Sequence, residues 1–88
     1  MARTVVRHRV KDYDAWRRVY DDVGPVQKEG GVVAEAVFRD KDDPNQVLVI
    51  HDFLTMGEAV AFFAQPELAE AMERGGVEQP RIEFYEEA

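Results

Sequence analysis

Three consecutive stretches decide the fold: VVAEAVFR (Val32–Arg39), DKDDPN (Asp40–Asn45) and QVLVIHDFL (Gln46–Leu54). The outer two are rich in β-branched and aromatic residues, and the middle one is built from turn formers, so together they predict a β-hairpin. Along the second run Val47, Val49 and Phe53 share a face with His51, while Leu48, Ile50 and Leu54 share the other with Asp52. The first run places Val33 and Val37 on one side and Val32, Ala34, Ala36 and Phe38 on the other. Strands that are apolar on both faces need cover on both, and helices of so short a chain cover only one. A second copy is the simplest remaining cover, so the sequence predicts a homodimer packed sheet on sheet.

Working outward from the hairpin, TVVRHRV (Thr4–Val10) reads as a strand that stops at Asp12, a helix N-cap residue. Tyr13, Trp16, Val19, Tyr20, Val23 and Val26 then recur at helical spacing. Gly24-Pro25 predicts a kink or break before a last turn through Glu29, and Gly30-Gly31 a left-handed stop. Beyond the hairpin, Thr55-Met-Gly-Glu58 has the capping-box pattern and opens a short helix through Ala64. Pro66 opens another, with Leu68, Ala71 and Met72 inward, which ends at Gly75-Gly76. Pro80–Glu86 (PRIEFYE) is the last strand. The order is β-α-β-β-α-β with the second helical region split in two. That is an α+β, ferredoxin-like arrangement with a four-stranded antiparallel sheet in strand order 4-1-3-2.

Composition narrows the function. Eighty-eight residues without cysteine support one domain, residues 1–88, and remove disulfides, thiolate metal sites and thiol nucleophiles. A net charge of -7 argues against nucleic acid and anionic membranes as partners. No run reaches the roughly 18 apolar residues of a membrane span, and Met1–Val10 lacks the apolar stretch of a secretory signal, so a cytoplasmic protein is expected. The charge is uneven: Met1–Arg39 holds eight bases and six acids, Asp40–Ala88 three bases and twelve acids. Arg3, Arg7, Arg9 and Lys11 suggest either an anion site or cross-strand pairing with the acidic Glu83, Glu86 and Glu87. Asp40, Asp42 and Asp43 lack the spacing and closing glutamate of a calcium loop, so no metal is expected.

His8 and His51 are the only side chains whose ordinary pKa lies near neutrality, which makes each a candidate general base. Both fall on central strands, where a centred register separates them by two or three residues, about 7 to 10 Å, too far to share a metal. His51 among Val47, Val49 and Phe53 is expected to be neutral, as a base requires. Trp16, Phe53, Phe62, Phe63 and Tyr85 are candidate walls of a flat apolar substrate pocket, or else core. An open pocket of several hundred Å³ at either histidine would favour catalysis, and a filled interior a non-catalytic module.

The segments Val10-Lys-Asp-Tyr-Asp-Ala-Trp16, Phe38-Arg-Asp-Lys-Asp-Asp-Pro-Asn45 and Phe63-Ala-Gln-Pro-Glu-Leu68, with Gly76-Val77 after them, resemble the antibiotic-biosynthesis-monooxygenase-like group of the dimeric α+β barrel superfamily. The resemblance spans nearly the whole chain. It implies a dimeric barrel and a cofactor-independent monooxygenase acting on an aromatic or polyketide-like molecule. A polyketide cyclase or isomerase, or a non-catalytic small-ligand-binding or interaction module, are the alternatives within the group. The haem-degrading branch uses an asparagine on the first strand, a tryptophan ending the third and a histidine on the next helix. This chain has His8, Phe53 and Phe62-Phe63 in those regions, and its single tryptophan, Trp16, sits on the first helix.

Overall fold

A computed structural model describes residues 1–88. Its elements are β1 (Ala2–Val10), α1 (Tyr13–Asp22), α2 (Gly24–Glu29), β2 (Val32–Arg39), β3 (Gln46–Phe53), α3 (Met56–Phe63), α4 (Pro66–Arg74) and β4 (Val77–Glu86). The four strands form one sheet in the order β2-β3-β1-β4, and every neighbouring pair is antiparallel. The ferredoxin-like order expected from the sequence is therefore the observed one.

Local chemistry places the boundaries. The Asp12 carboxylate caps α1 by accepting from the Ala15 amide at 3.0 Å. Gly24-Pro25 breaks the helical region into α1 and α2, with Pro25 in the first turn of α2, where its missing N–H costs nothing. Gly31 and Gly76 both take positive φ, ending the helical regions before β2 and β4. The Thr55 hydroxyl accepts from the Glu58 amide at 3.2 Å as the capping pattern requires, but it donates to the Glu58 carboxylate at 3.0 Å. That carboxylate therefore engages the hydroxyl instead of the Thr55 amide.

Strand β4 begins at Val77, three residues before the start expected at Pro80. Proline cannot donate to a ladder, and here the sheet absorbs it in an irregularity between Arg7 and Arg9, with Gln79 at φ 46°. The disturbance lies beside His8.

The sheet has two unlike faces. Ala2, Thr4, Val6, His8 and Val10 of β1 and Val47, Val49, His51 and Phe53 of β3 point under the helices and are buried. One core cluster joins Val6, Val10, Trp16, Tyr20, Val47 and Val49, and a second joins Ala2, Phe53, Ala59, Phe62 and Leu68. The opposite face has no helical cover. There Ala36, Ile50 and Val5 stand side by side in register, between the ion pairs Arg3–Asp52 (2.7 Å) and Arg7–Glu83 (2.9 Å). Of the basic residues of the first strand only Arg7 meets the acidic C-terminal segment, at Glu83, because Arg3 pairs with Asp52 on β3 and Arg9 with the hairpin turn. Asp40 and Asp43 serve the turn, accepting from the amides of Asp42, Asp43 and Asn45, and Asp43 also pairs with Arg9.

Close packing between α2 and α3 makes one substitution diagnostic. A Cβ on Gly30 would lie 2.5 Å from the Phe62 ring, which is 1% exposed and cannot retreat. Gly30→Ala is expected to cost about 1–3 kcal/mol in urea unfolding, whereas Gly24→Ala, whose Cβ meets nothing within 4 Å, leaves stability unchanged or slightly raised.

Candidate functional site

His51 and His8 lie on the covered face because each continues the inward alternation of its strand, and both are 4% exposed. In the β1–β3 register His51 stands opposite Thr4 and His8 opposite Val47. The offset is four residues, about 13 Å along the strands, wider than the two or three expected. A row of aromatic rings connects them. His8 lies 5.6 Å from Trp16 between ring centres, Trp16 stacks on Tyr20 at 5.0 Å, and Tyr20 faces His51 at 6.1 Å with an interplanar angle of 12°.

Both histidines line one cavity between the sheet and helices α1 and α4, which encloses about 50 Å³. Its walls include Val6, Val49, Leu68, Ala71, Met72 and Val77, together with Trp16, Tyr20 and Phe63. His8, His51 and Gln27 are its polar residues besides Tyr20, and no charged side chain lines it. The space suits about three or four waters. It is well short of the several hundred Å³ of a typical substrate pocket, so a larger guest requires rim side chains such as Phe63 and Met72 to move. A roomier depression of about 320 Å³ lies at the chain termini, bordered by Arg3, Asp52, Tyr85 and Glu87. It is bordered mainly by charged side chains and contains neither histidine.

Burial pushes the His8 imidazole down to about 4. The same cause brings His51 to about 4, against the opposing pull of the Glu35 and Asp52 charges. Both rings are therefore neutral near pH 7. Neither nitrogen of His8 has a hydrogen-bond partner, and Nδ1 of His51 has none either. Buried polar atoms are rarely left unpaired, and here three of them belong to residues bordering one cavity. His51 Nε2 does have a partner, the Tyr20 hydroxyl at 3.2 Å, and that hydroxyl donates its proton to Glu35 Oε2 at 3.0 Å.

Of the candidates named from sequence, His8, His51, Trp16 and Phe63 border the cavity. Phe53, 0% exposed, and Phe62 lie behind it as core, packing against His51 at 6.5 and 5.6 Å between ring centres. Tyr85 is brought to none of them. It pairs with Arg3 in the ladder, shares that residue's open face, is 48% exposed, and donates to Glu83 at 2.9 Å. The sequence reading missed Gln27, which is buried in α2, and Glu35, which faces Tyr20 from β2. No group of three or more His, Asp or Glu side chains is placed to hold a metal ion.

No protein-family model matches the sequence, and no curated protein does. Solved structures do match. The cofactor-independent oxygenase SnoaB from Streptomyces nogalater superposes with a TM-score of 0.83 at 14% identity, covering 99% of this chain and 92% of SnoaB. The fold is that of the antibiotic-biosynthesis-monooxygenase-like group. A candidate antibiotic biosynthesis monooxygenase from Deinococcus radiodurans gives 0.79 at 17% identity, over 100% of this chain and 93% of that one. Another, from Bordetella bronchiseptica, gives 0.81 at 14% identity, over 99% and 96%. At these identities the likeness of this chain to antibiotic biosynthesis monooxygenases is one of fold. No helix is long and apolar enough to cross a membrane.

Proposed function

We propose that the chain is a single-domain, cytoplasmic, cofactor-independent monooxygenase that takes a flat, largely apolar phenol, enol or quinol into the cavity and uses His51 as general base. The observation that carries this reading is the buried, neutral His51 with an unpartnered Nδ1 beside an apolar cavity. A neutral imidazole accepts the acidic proton of the substrate, and the apolar walls raise the energy of the resulting anion less if its charge is spread over a ring system. That anion reduces oxygen directly. A ring CH₂ and O₂ give C=O and water, so the balance needs no further reductant. In this reading His8, whose two nitrogens have no partner, hydrogen-bonds the far end of the guest.

Oxygen uptake by the purified protein with anthrone- or quinol-type substrates tests this, with a product heavier by one oxygen and lighter by two hydrogens. Uptake no faster than in protein-free buffer sinks the reading. Loss of water, or no change in mass, points instead to a cyclase or isomerase using the same base. A cavity of only about 50 Å³ favours a second reading, a non-catalytic ligand-binding or interaction module. Binding without turnover supports it.

The working unit in this proposal is a homodimer joined through the open face, where Ala36, Ile50 and Val5 form an apolar strip bounded by ion pairs. Light scattering at micromolar concentration should give twice the 10.1 kDa chain mass, and Ile50→Arg should shift the protein toward the single-chain mass. A wild-type mass of one chain contradicts the dimer.

A further inference from the structure

We propose that Tyr20 and Glu35 are positioning residues that hold His51 in the tautomer protonated on Nε2, leaving Nδ1 as the free acceptor. A single hydroxyl lies between two partners. Tyr20 Oη is 3.0 Å from Glu35 Oε2 and 3.2 Å from His51 Nε2, and it has one proton to give. A carboxylate only accepts, so that proton goes to Glu35, and the hydroxyl oxygen is left to accept from Nε2–H. The chain of donors then runs from Nε2–H to Tyr20 to Glu35.

Topology assembles the three groups. Glu35 is the direct cross-strand neighbour of His51 in the β2–β3 register, so both project from the same face. Tyr20 reaches over them from α1, its ring held between Trp16 and His51, with the Arg17 guanidinium 5.2 Å from its centre. Burial, then the hydrogen bond to Glu35, push the Tyr20 pKa upward, so it stays a neutral hydroxyl. Glu35 is exposed at the sheet edge, and the chain of donors therefore ends at solvent.

The role in catalysis rests on His51 being the base; the tautomer does not. When Nδ1 takes a proton, Nε2–H stays on Tyr20, and the Glu35 carboxylate one hydroxyl away offsets the new positive charge. No proton need leave the imidazole.

Long-range ¹H–¹⁵N NMR of the ¹⁵N-labelled full chain without substrate reads both nitrogens of each histidine. In the wild type His51 should carry its proton on Nε2. Glu35→Ala, a surface change, frees the Tyr20 hydroxyl to donate to Nε2, so the Nε2–H to Nδ1–H ratio should fall by about five- to tenfold, while His8 stays unchanged. Tyr20→Phe should leave a mixture. A wild-type proton on Nδ1, or an unaltered ratio in Glu35→Ala, overturns the proposal. A shifted ratio in a protein whose His51→Ala variant turns over normally supports the lock and removes only the base.

Discussion

Acidification from about pH 6.5 to about pH 4 is expected to remove about 3 kcal/mol of folding stability for each of the two buried histidines. In the unfolded chain each imidazole binds a proton near its ordinary 6.5, whereas burial in the fold delays that proton until about 4. Between those values the unfolded state binds more protons, so stability falls as the pH falls, and the histidine contribution levels off below about 4. Asp52, Asp43 and Glu83, held below the usual carboxylate range by Arg3, Arg9 and Arg7, add their losses only at lower pH. Urea midpoints collected from about pH 7.5 to 4 check the sign, and His8→Phe should remove about half of the slope. A flat profile over that range would show that the imidazoles are hydrated in the folded protein.

His51→Ala should slow oxygen uptake by about 10²- to 10⁴-fold, the usual contribution of a positioned acid or base. Its effect should fall mainly on kcat, because the apolar walls that hold the guest stay in place. Matching circular dichroism and urea curves at pH 7 guard against a trivial loss of fold. Equal rates for variant and wild type remove His51 from the chemistry.

The sequence reading recovered the fold almost completely because local signals agreed with one another. Asp12, Thr55 and Pro66 mark helix starts, Gly31 and Gly76 mark stops, and the turn chemistry of residues 40–45 forces β2 and β3 into a hairpin. What escaped was whatever depends on register. A symmetric closure of the six-residue turn pairs Arg39 with Gln46, but the sheet pairs Arg39 with Val47, and that slip of one residue sets Glu35 opposite His51. Glu35 between Val33 and Val37 was the available hint, a charge on the face that carries two valines. Tyr20 was visible only as one more aromatic at helical spacing, since its hydroxyl contacts depend on how α1 crosses the sheet. That Tyr85 lies apart from the other candidates was hidden for the converse reason: hydrophobic identity does not reveal which way an edge strand presents it, and β4 contains an irregularity at Gln79-Pro80.

The claim that the cavity under the helices is the working site is tested most directly by titrating the ¹⁵N-labelled protein with an anthrone- or quinol-type ligand under anaerobic conditions. The account predicts shifts at the Trp16 indole, at the His8 and His51 side chains and at Gln27, with the open-face amides of Arg3 and Tyr85 unmoved. Shifts confined to the open face or the chain termini, or none at saturating ligand, would contradict it.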